Sequence, residues 1–379
     1  MPLEWFLPVH EQNLTIIYSI SISITFKTTK KMKKAKLLLS FVTGLLAFTA
    51  TGASLQDNPV PVHRPIIEEY TGTWCGYCVR GYAGMELLRE TFGDQFIGVA
   101  YHYGDTMAVV DPTDFPNDIN GVPSAFIDRT DELDALYGFG QTSGGVVSDM
   151  QQYATLQTIA DVFITASWTS EDKTDIAVNV TSYFTVDGNN GTYAIEVMLI
   201  ADDLYGSGSE WDQENYFSNW WTYRNDPYLG PWVRKPDVVS GLHFNDVLIG
   251  TSGVVAGSLP NNIVAYTEYD YNYTFTLSRL PKPALVQNKD NLHLIAVVVN
   301  KNTHKVVNAN RCFISDYVPF LFGDVNNDGF VNIGDVTSLI NYVLRNEIPD
   351  NGDVNGDGFV NVSDVSALIN YVLTGNLPN

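Results

Sequence analysis

The chain of 379 residues carries 21 lysines and arginines against 43 aspartates and glutamates, a formal charge of −22 at pH 7. No basic face balances those acids, which excludes a nucleic-acid partner, and the length allows two or three domains, each with its own core. Three cysteines in a chain this long do not form a disulfide scaffold.

At the N-terminus, Lys30, Lys31, Lys33, Lys34 and Lys36 surround an internal Met32. An apolar run over 37–48 follows and ends at the small residues Thr51-Gly52-Ala53. The pattern reads as a signal peptide over 32–53, with translation expected to begin at Met32 and 1–31 expected to be upstream sequence. The run is shorter than the roughly 20 apolar residues of a membrane span, so no transmembrane span is expected in the mature chain. Its next cysteine, Cys75, is too distant to carry a lipid anchor. An exported protein of the periplasm, outer membrane or cell surface is expected.

Over 61–160 strand and helix patterns alternate. Residues 65–70 read as a strand, 79–92 as a helix, 95–103 as a second strand, 124–128 as a short strand entered through Val122-Pro123, and 146–156 as a closing helix. This β-α-β order predicts an α/β layer fold. Trp74-Cys75-Gly76-Tyr77-Cys78 ends the first strand and opens the helix. Free amides and the dipole at a helix N-terminus stabilise a thiolate, so Cys75 is the expected nucleophile, exposed and reactive. Cys78, one turn further in, is the expected resolving thiol. Half a zinc ribbon has the same Cys-x-x-Cys, but no second cysteine pair or histidine cluster lies nearby.

These residues resemble the thioredoxin-like superfamily. The tryptophan before the first cysteine, Glu69 six residues ahead of it, and Gly121-Val122-Pro123 all match. The resemblance implies a redox-active disulfide Cys75–Cys78, a buried Glu69 that shuttles the resolving cysteine's proton, and a cis Pro123 that holds the substrate backbone. Glu68 competes with Glu69 for the inward face, and a solvated strand-edge carboxylate is the other reading of Glu69. Gly76-Tyr77 differs from the Gly-Pro of reducing thioredoxins and matches periplasmic disulfide isomerases, which implies reduction or isomerisation of protein disulfides. His102, at a strand end, reads as a structural histidine or as one facing the cysteines.

Over 161–317 strand patterns dominate, at 176–184, 192–200, 271–277 and 293–300, with a turn at 187–191. An antiparallel all-β sandwich is expected. Residues 205–229 are polar and aromatic, with Trp211, Trp220, Trp221 and Tyr223, and suit a long loop whose aromatics pack it or stack on sugars. Cys312 reads as a small buried hydrophobe. The span Thr71 to Gly81 together with the hairpin 295–308 is similar to the Omp28-related proteins of Bacteroidetes, except for Val79 where that family has proline. That likeness implies an outer-membrane-associated or exported protein over 61–315.

The last segment is written twice. Starting at Gly323 and Gly352, 17 of 24 aligned positions are identical at an offset of 29 residues. Each copy places oxygen donors at loop positions 1, 3, 5, 9 and 12, glycine at 6, and a backbone carbonyl at 7. That is the pattern of a calcium loop. The first set is Asp324, Asn326, Asp328, the Phe330 carbonyl, Asn332 and Asp335. The second is Asp353, Asn355, Asp357, the Phe359 carbonyl, Asn361 and Asp364. Apolar stripes follow, Val336, Leu339, Ile340, Val343 and Leu344, then Val365, Leu368, Ile369, Val372 and Leu373, and predict two helices facing each other. With no helix pattern before the first loop and aspartate at position 12, residues 320–379 resemble a type I dockerin, a small α-helical module. The resemblance implies two calcium ions and a cohesin partner read near positions 10 and 11. Here those are Ile333-Gly334 and Val362-Ser363, unlike the Ser-Thr pair of clostridial cellulosomes.

The leading expectation is an exported thiol–disulfide oxidoreductase carrying an assembly module. The alternatives are a non-enzymatic outer-membrane or surface assembly protein, and an accessory component of a polysaccharide-degrading complex.

Overall fold

Strand follows strand through most of the chain, and in the computed structural model nearly all of them join one sheet. The structure describes residues 59–379 except 318–320, 322, 350 and 376–379. The expected upstream segment and signal peptide, 1–31 and 32–53, lie outside the described residues, as does most of the stretch just ahead of the first calcium loop.

In chain order the strands are β1 (Ile67–Thr71), β2 (Gly98–His102), β3 (Ser124–Ile127), β4 (Glu132–Leu133), β5 (Ala160–Trp168), β6 (Asp175–Phe184), β7 (Tyr193–Ala201), β8 (Gln213–Glu214), β9 (Val238–Val239), β10 (Val247–Thr251), β11 (Tyr269–Thr276), β12 (Leu292–Asn300) and β13 (Val306–Ser315). The helices are α1 (Val79–Phe92), α2 (Gly145–Tyr153), the single turn α3 (Gly230–Val233), α4 (Ile333–Arg345) and α5 (Val362–Thr374). Eleven strands pair in the order β11-β6-β5-β13-β12-β7-β10-β2-β1-β3-β4, and β8 and β9 form a separate ribbon.

The expected α/β thioredoxin-like domain followed by an all-β sandwich is overturned by this sheet. β1 is parallel to β2 and antiparallel to β3, as βαβ alternation suggests. The edge of β2, however, is taken by β10 in parallel, with Val247 opposite Ala100 and the Ala100 N–H donating to the Asp246 carbonyl at 2.7 Å. An α/β layer fold covers both sheet faces with helices. Here α1 and α2 cover one face only, packing Met85, Leu88, Val146 and Met150 on Ile67, Ala125 and Ile127. The other face belongs to a core that Tyr70, Val99 and Tyr101 share with Met198, Ile200, Ile295 and Val297 of β7 and β12, closed by Phe115 from the β2–β3 connection.

β7 and β12 lie at the centre. Leu294, Ala296 and Val298 point into a second core with Val162, Ile164, Val178 and Val180, while Ile295, Val297 and Val299 point into the first. Burial on both faces explains why β12 is apolar without alternation. The predicted calcium-loop segment folds as α4 and α5 around Val325, Val336, Leu339, Val354, Val365, Ala367 and Leu368.

Candidate functional site

β1 ends at Thr71, and the turn into α1 carries both cysteines, bonded as Cys75–Cys78 with Cα atoms 5.3 Å apart. Cys78 is the N-cap residue of α1. The disulfide therefore sits at the positive end of the helix dipole. Cys78 is fully buried, and Cys75 keeps 6% of its surface, less than the open nucleophile expected from the sequence. A segment from far along the chain lies against this turn. Gln213 donates its side-chain amide to the Cys75 carbonyl at 2.9 Å, and the Glu214 and Tyr216 amides donate to the Thr73 and Gly76 carbonyls at 2.7 and 3.0 Å.

Glu68 and Glu69 are both buried, on opposite faces of β1. Glu68 belongs to an ion cluster with Arg129 and Glu196. Glu69 lies under α1, where a Cβ on Gly81 would stand 1.7 Å from its Oε1, so a side chain at 81 would displace the carboxyl from its present place. That Oε1 has no hydrogen-bond partner. Burial, reinforced by nearby Asp246, pushes the Glu69 carboxyl up to about 8. Asp246 is itself raised to about 6 by burial, against the pull of its Arg89 partner. A cavity of about 20 Å³, lined by Glu69, Tyr82, Glu86, Arg89, His102 and Gln213 among others, adjoins the carboxyl. It has room for one water.

A buried acid with a raised pKa binds its proton more tightly folded than unfolded. Its contribution to stability is full below pH 4.5 and declines as pH rises through about 8. Glu69→Gln is expected to flatten that decline, which amounts to on the order of 4 kcal/mol. Urea midpoints at pH 5 and pH 8.5 for both proteins measure it, and equal slopes would refute the assignment.

The Val122-Pro123 peptide is cis. The Val122 carbonyl oxygen lies 3.6 Å from Cys75 Sγ, which sets Pro123 beside the disulfide. His102 is buried with Nδ1 2.7 Å from Asp105 Oδ2, and Asp105 also accepts the Thr73 amide at 3.0 Å. This pair props the turn that leads into the cysteines. Cys312 is half-buried and unpaired, its thiol pushed up to about 12 by burial. Of the aromatic stretch, Phe217, Leu229 and Trp232 pack on Val79 at the start of α1, while Trp220 and Trp221 stay exposed. The role of 213–216 was not read from the sequence; the aromatic density around it was the available signal.

In the C-terminal loops the residues at positions 1, 5, 9 and 12 organise the backbone. Asp324 accepts the Asp328 and Gly329 amides at 3.1 and 2.9 Å. Asp335 is fully buried and accepts Val325, Asn326 and Asn332 amides at 2.8 to 3.1 Å. Asn332 and Asp335 form the capping box of α4, and Asn361 and Asp364 that of α5, so the ligand candidates at positions 9 and 12 also start the helices. Gly329 and Gly358, at φ +84 and +86, take the left-handed turn at position 6. Among the described residues no three His, Cys, Asp or Glu side chains close on one point. The candidate set in each loop is three aspartates, two asparagine amides and one carbonyl, all hard oxygens that suit calcium.

Only part of each predicted stripe is buried. Val336 and Leu339, like Val365 and Leu368, fill the core, but Ile340 and Leu344 are 40% and 78% exposed and Ile369 and Leu373 are 39% and 78% exposed. Phe330, Ile333, Phe359 and Val362 are exposed as well.

Residues 322–373 match the dockerin type I domain family. Such domains bind calcium, and the match implies a cohesin as partner. No curated protein matches the chain. Among solved structures it is similar to HBP35 of Porphyromonas gingivalis, at 12% identity and TM-score 0.46, covering 69% of this chain and 79% of that one. A protein of Agrobacterium tumefaciens matches at 12% identity and TM-score 0.37 over 66% and 95% of the two chains. A domain of the outer membrane lipoprotein Omp28 from Porphyromonas gingivalis matches at 16% identity and TM-score 0.22 over 42% and 90%. No helix among the described residues is long and apolar enough to cross a membrane.

Proposed function

We propose that this is an exported protein, held outside the cytoplasm by a calcium-dependent dockerin–cohesin contact, that presents a thiol–disulfide exchange site. The observation that carries the attachment is the pair of loop-and-helix repeats inside the dockerin match. Asp324, Asn326, Asp328, the Phe330 carbonyl, Asn332 and Asp335 would hold one ion; Asp353, Asn355, Asp357, the Phe359 carbonyl, Asn361 and Asp364 would hold the other. Bound calcium would supply the positive charge that lets these acidic loops stay wound. The exposed Ile333, Ile340 and Leu344 on α4, and their counterparts Val362, Ile369 and Leu373 on α5, support an apolar contact with the cohesin. Binding to an array of cohesin modules in calcium tests this. Replacing Ile340, Leu344, Ile369 and Leu373 by aspartate is expected to weaken binding at least 100-fold. Undiminished binding would refute the surface.

The exchange reading is favoured by the disulfide at the start of α1 and by the buried, protonatable Glu69 under the same helix, one of whose oxygens has no hydrogen-bond partner. In the dithiol form the Cys75 thiolate attacks a sulfur of a polypeptide disulfide, forming a mixed disulfide and releasing one substrate thiolate. Cys78 gives its proton to the carboxylate form of Glu69, which becomes available as pH approaches about 8, attacks Cys75 Sγ, and releases the second thiolate. The substrate gains two electrons, Cys75–Cys78 closes, and a dithiol donor must reopen it. Pro123 lines the path of the substrate backbone. Insulin reduction with dithiothreitol as donor should be lost in Cys75→Ser; equal rates in the two proteins would end this reading.

A further inference from the structure

Between β7 and β10 the chain leaves the large sheet, packs on the start of α1, and returns through the β8–β9 ribbon. On the way, 213–216 lies extended along 73–76. Two of its main-chain amides, two residues apart, hold the Thr73 and Gly76 carbonyls, and the Gln213 side-chain amide holds that of Cys75. The anchors of this segment alternate. Gln213 and Asn215 point inward, 3% and 1% exposed, and the Asn215 amide donates to the Trp232 and Pro236 carbonyls at 2.8 and 3.1 Å. Tyr216 points the other way, onto the disulfide loop. A Cβ at Gly76 would stand 2.2 Å from its ring, and Tyr77 meets it edge-on with centroids 5.2 Å apart. The dipeptide between the cysteines is therefore fitted to this segment, and any side chain at position 76 would force the ring away.

We propose that 213–216 is an intramolecular strap occupying the face of the Cys75–Cys78 loop where an extended polypeptide substrate lies. It must lift before Cys75 can exchange. The inference rests on the exchange reading and names its substrate as an extended chain, because main-chain amides at a two-residue spacing are what can take over the carbonyls the strap now holds. An aromatic or other apolar side chain beside the substrate cysteine would replace Tyr216 against Tyr77.

The test measures how fast dithiothreitol reduces Cys75–Cys78 in the full chain with calcium, read by thiol labelling and mass. Tyr216→Gly loosens the strap from one side, and Gly76→Ala pushes on it from the other. Each is expected to speed reduction at least tenfold and leave the thermal unfolding of the main body intact. Rates within twofold of the wild type in both variants would overturn the strap. So would a wild-type rate equal to that of a cyclic peptide of the same five-residue motif, since the loop would then be unshielded. Faster reduction without insulin turnover in either variant would retain the strap as a shield and overturn the proposal that a polypeptide substrate displaces it. Insulin turnover that rises in step with reduction supports both.

Discussion

Chelating calcium with EGTA is expected to unwind α4 and α5, abolish cohesin binding and leave the eleven-stranded sheet folded. Among the described residues the C-terminal module has a core of seven buried apolar residues. A core that small does not hold a fold by itself. Electrostatics opposes it further, because residues 321–379 carry eight acids and a single base, Arg345. Asp324 and Asp335 are almost completely buried without a basic neighbour among the described residues. The loops and helices also share parts. Losing the wound loop removes Asn332 and Asp335 from the N-terminus of α4, and a lost cap costs about 1 kcal/mol on its own. Free calcium at 100 times its dissociation constant adds about 2.7 kcal/mol per site. Far-ultraviolet circular dichroism during an EGTA titration should show a first transition confined to helix. Asp335→Ala and Asp364→Ala should each produce that transition at higher free calcium. A module that keeps its helices in EGTA would contradict the argument.

Arg129→Met is expected to destabilise the main body by about 3–5 kcal/mol, the usual loss when one member of a buried ion cluster is removed. The Arg129 guanidinium is 1% exposed and bonds Glu68 through Nε and Nη2 at 2.9 and 2.8 Å, and Glu196 through Nη2 at 2.9 Å. Burial works against its charge, but the two carboxylates hold it protonated well above the usual range. Tyr101 donates to Glu68 and Thr251 to Glu196, so the carboxylates are satisfied while the arginine is there. Without it two like charges are left in a dry core. Adding Glu68→Gln and Glu196→Gln to Arg129→Met should recover a large part of the loss, as a mutant cycle by urea unfolding would register. If Arg129→Met alone unfolds at the wild-type midpoint, the cluster contributes nothing.

How legible this was depended on the range of the interactions. α1 lies at 79–92 as expected, since an amphipathic run between a capping turn and Gly93 is a local pattern. The repeats were equally clear, because every loop ligand candidate lies within twelve residues. What bound distant parts was hidden. β10 is five residues with an internal glycine, and its meaning comes from β2, some 150 residues earlier. β5 was missed although its main partner β6 follows it directly in the chain, and its second partner, β13, lies about as far off as β10 does from β2. Adjacent Glu68 and Glu69 look like a solvated strand edge until Arg129 and Gly81 supply what each carboxyl needs. The width of the helical stripes was misjudged because periodicity marks the centre of an apolar face and not its limits, leaving Leu344 and Leu373 outside.

The register between β2 and β10 also bears on how the chain comes to be folded. Residues 61–160 contain four strands and two helices, yet the β2 edge stays open until residue 247 is in place. Non-local pairing of this kind slows folding and leaves strand edges available to other chains meanwhile. A chain passed through a membrane from its N-terminus would hold this edge bare until β10 emerged. Excised as a fragment, 61–160 should therefore associate with itself where the intact chain does not.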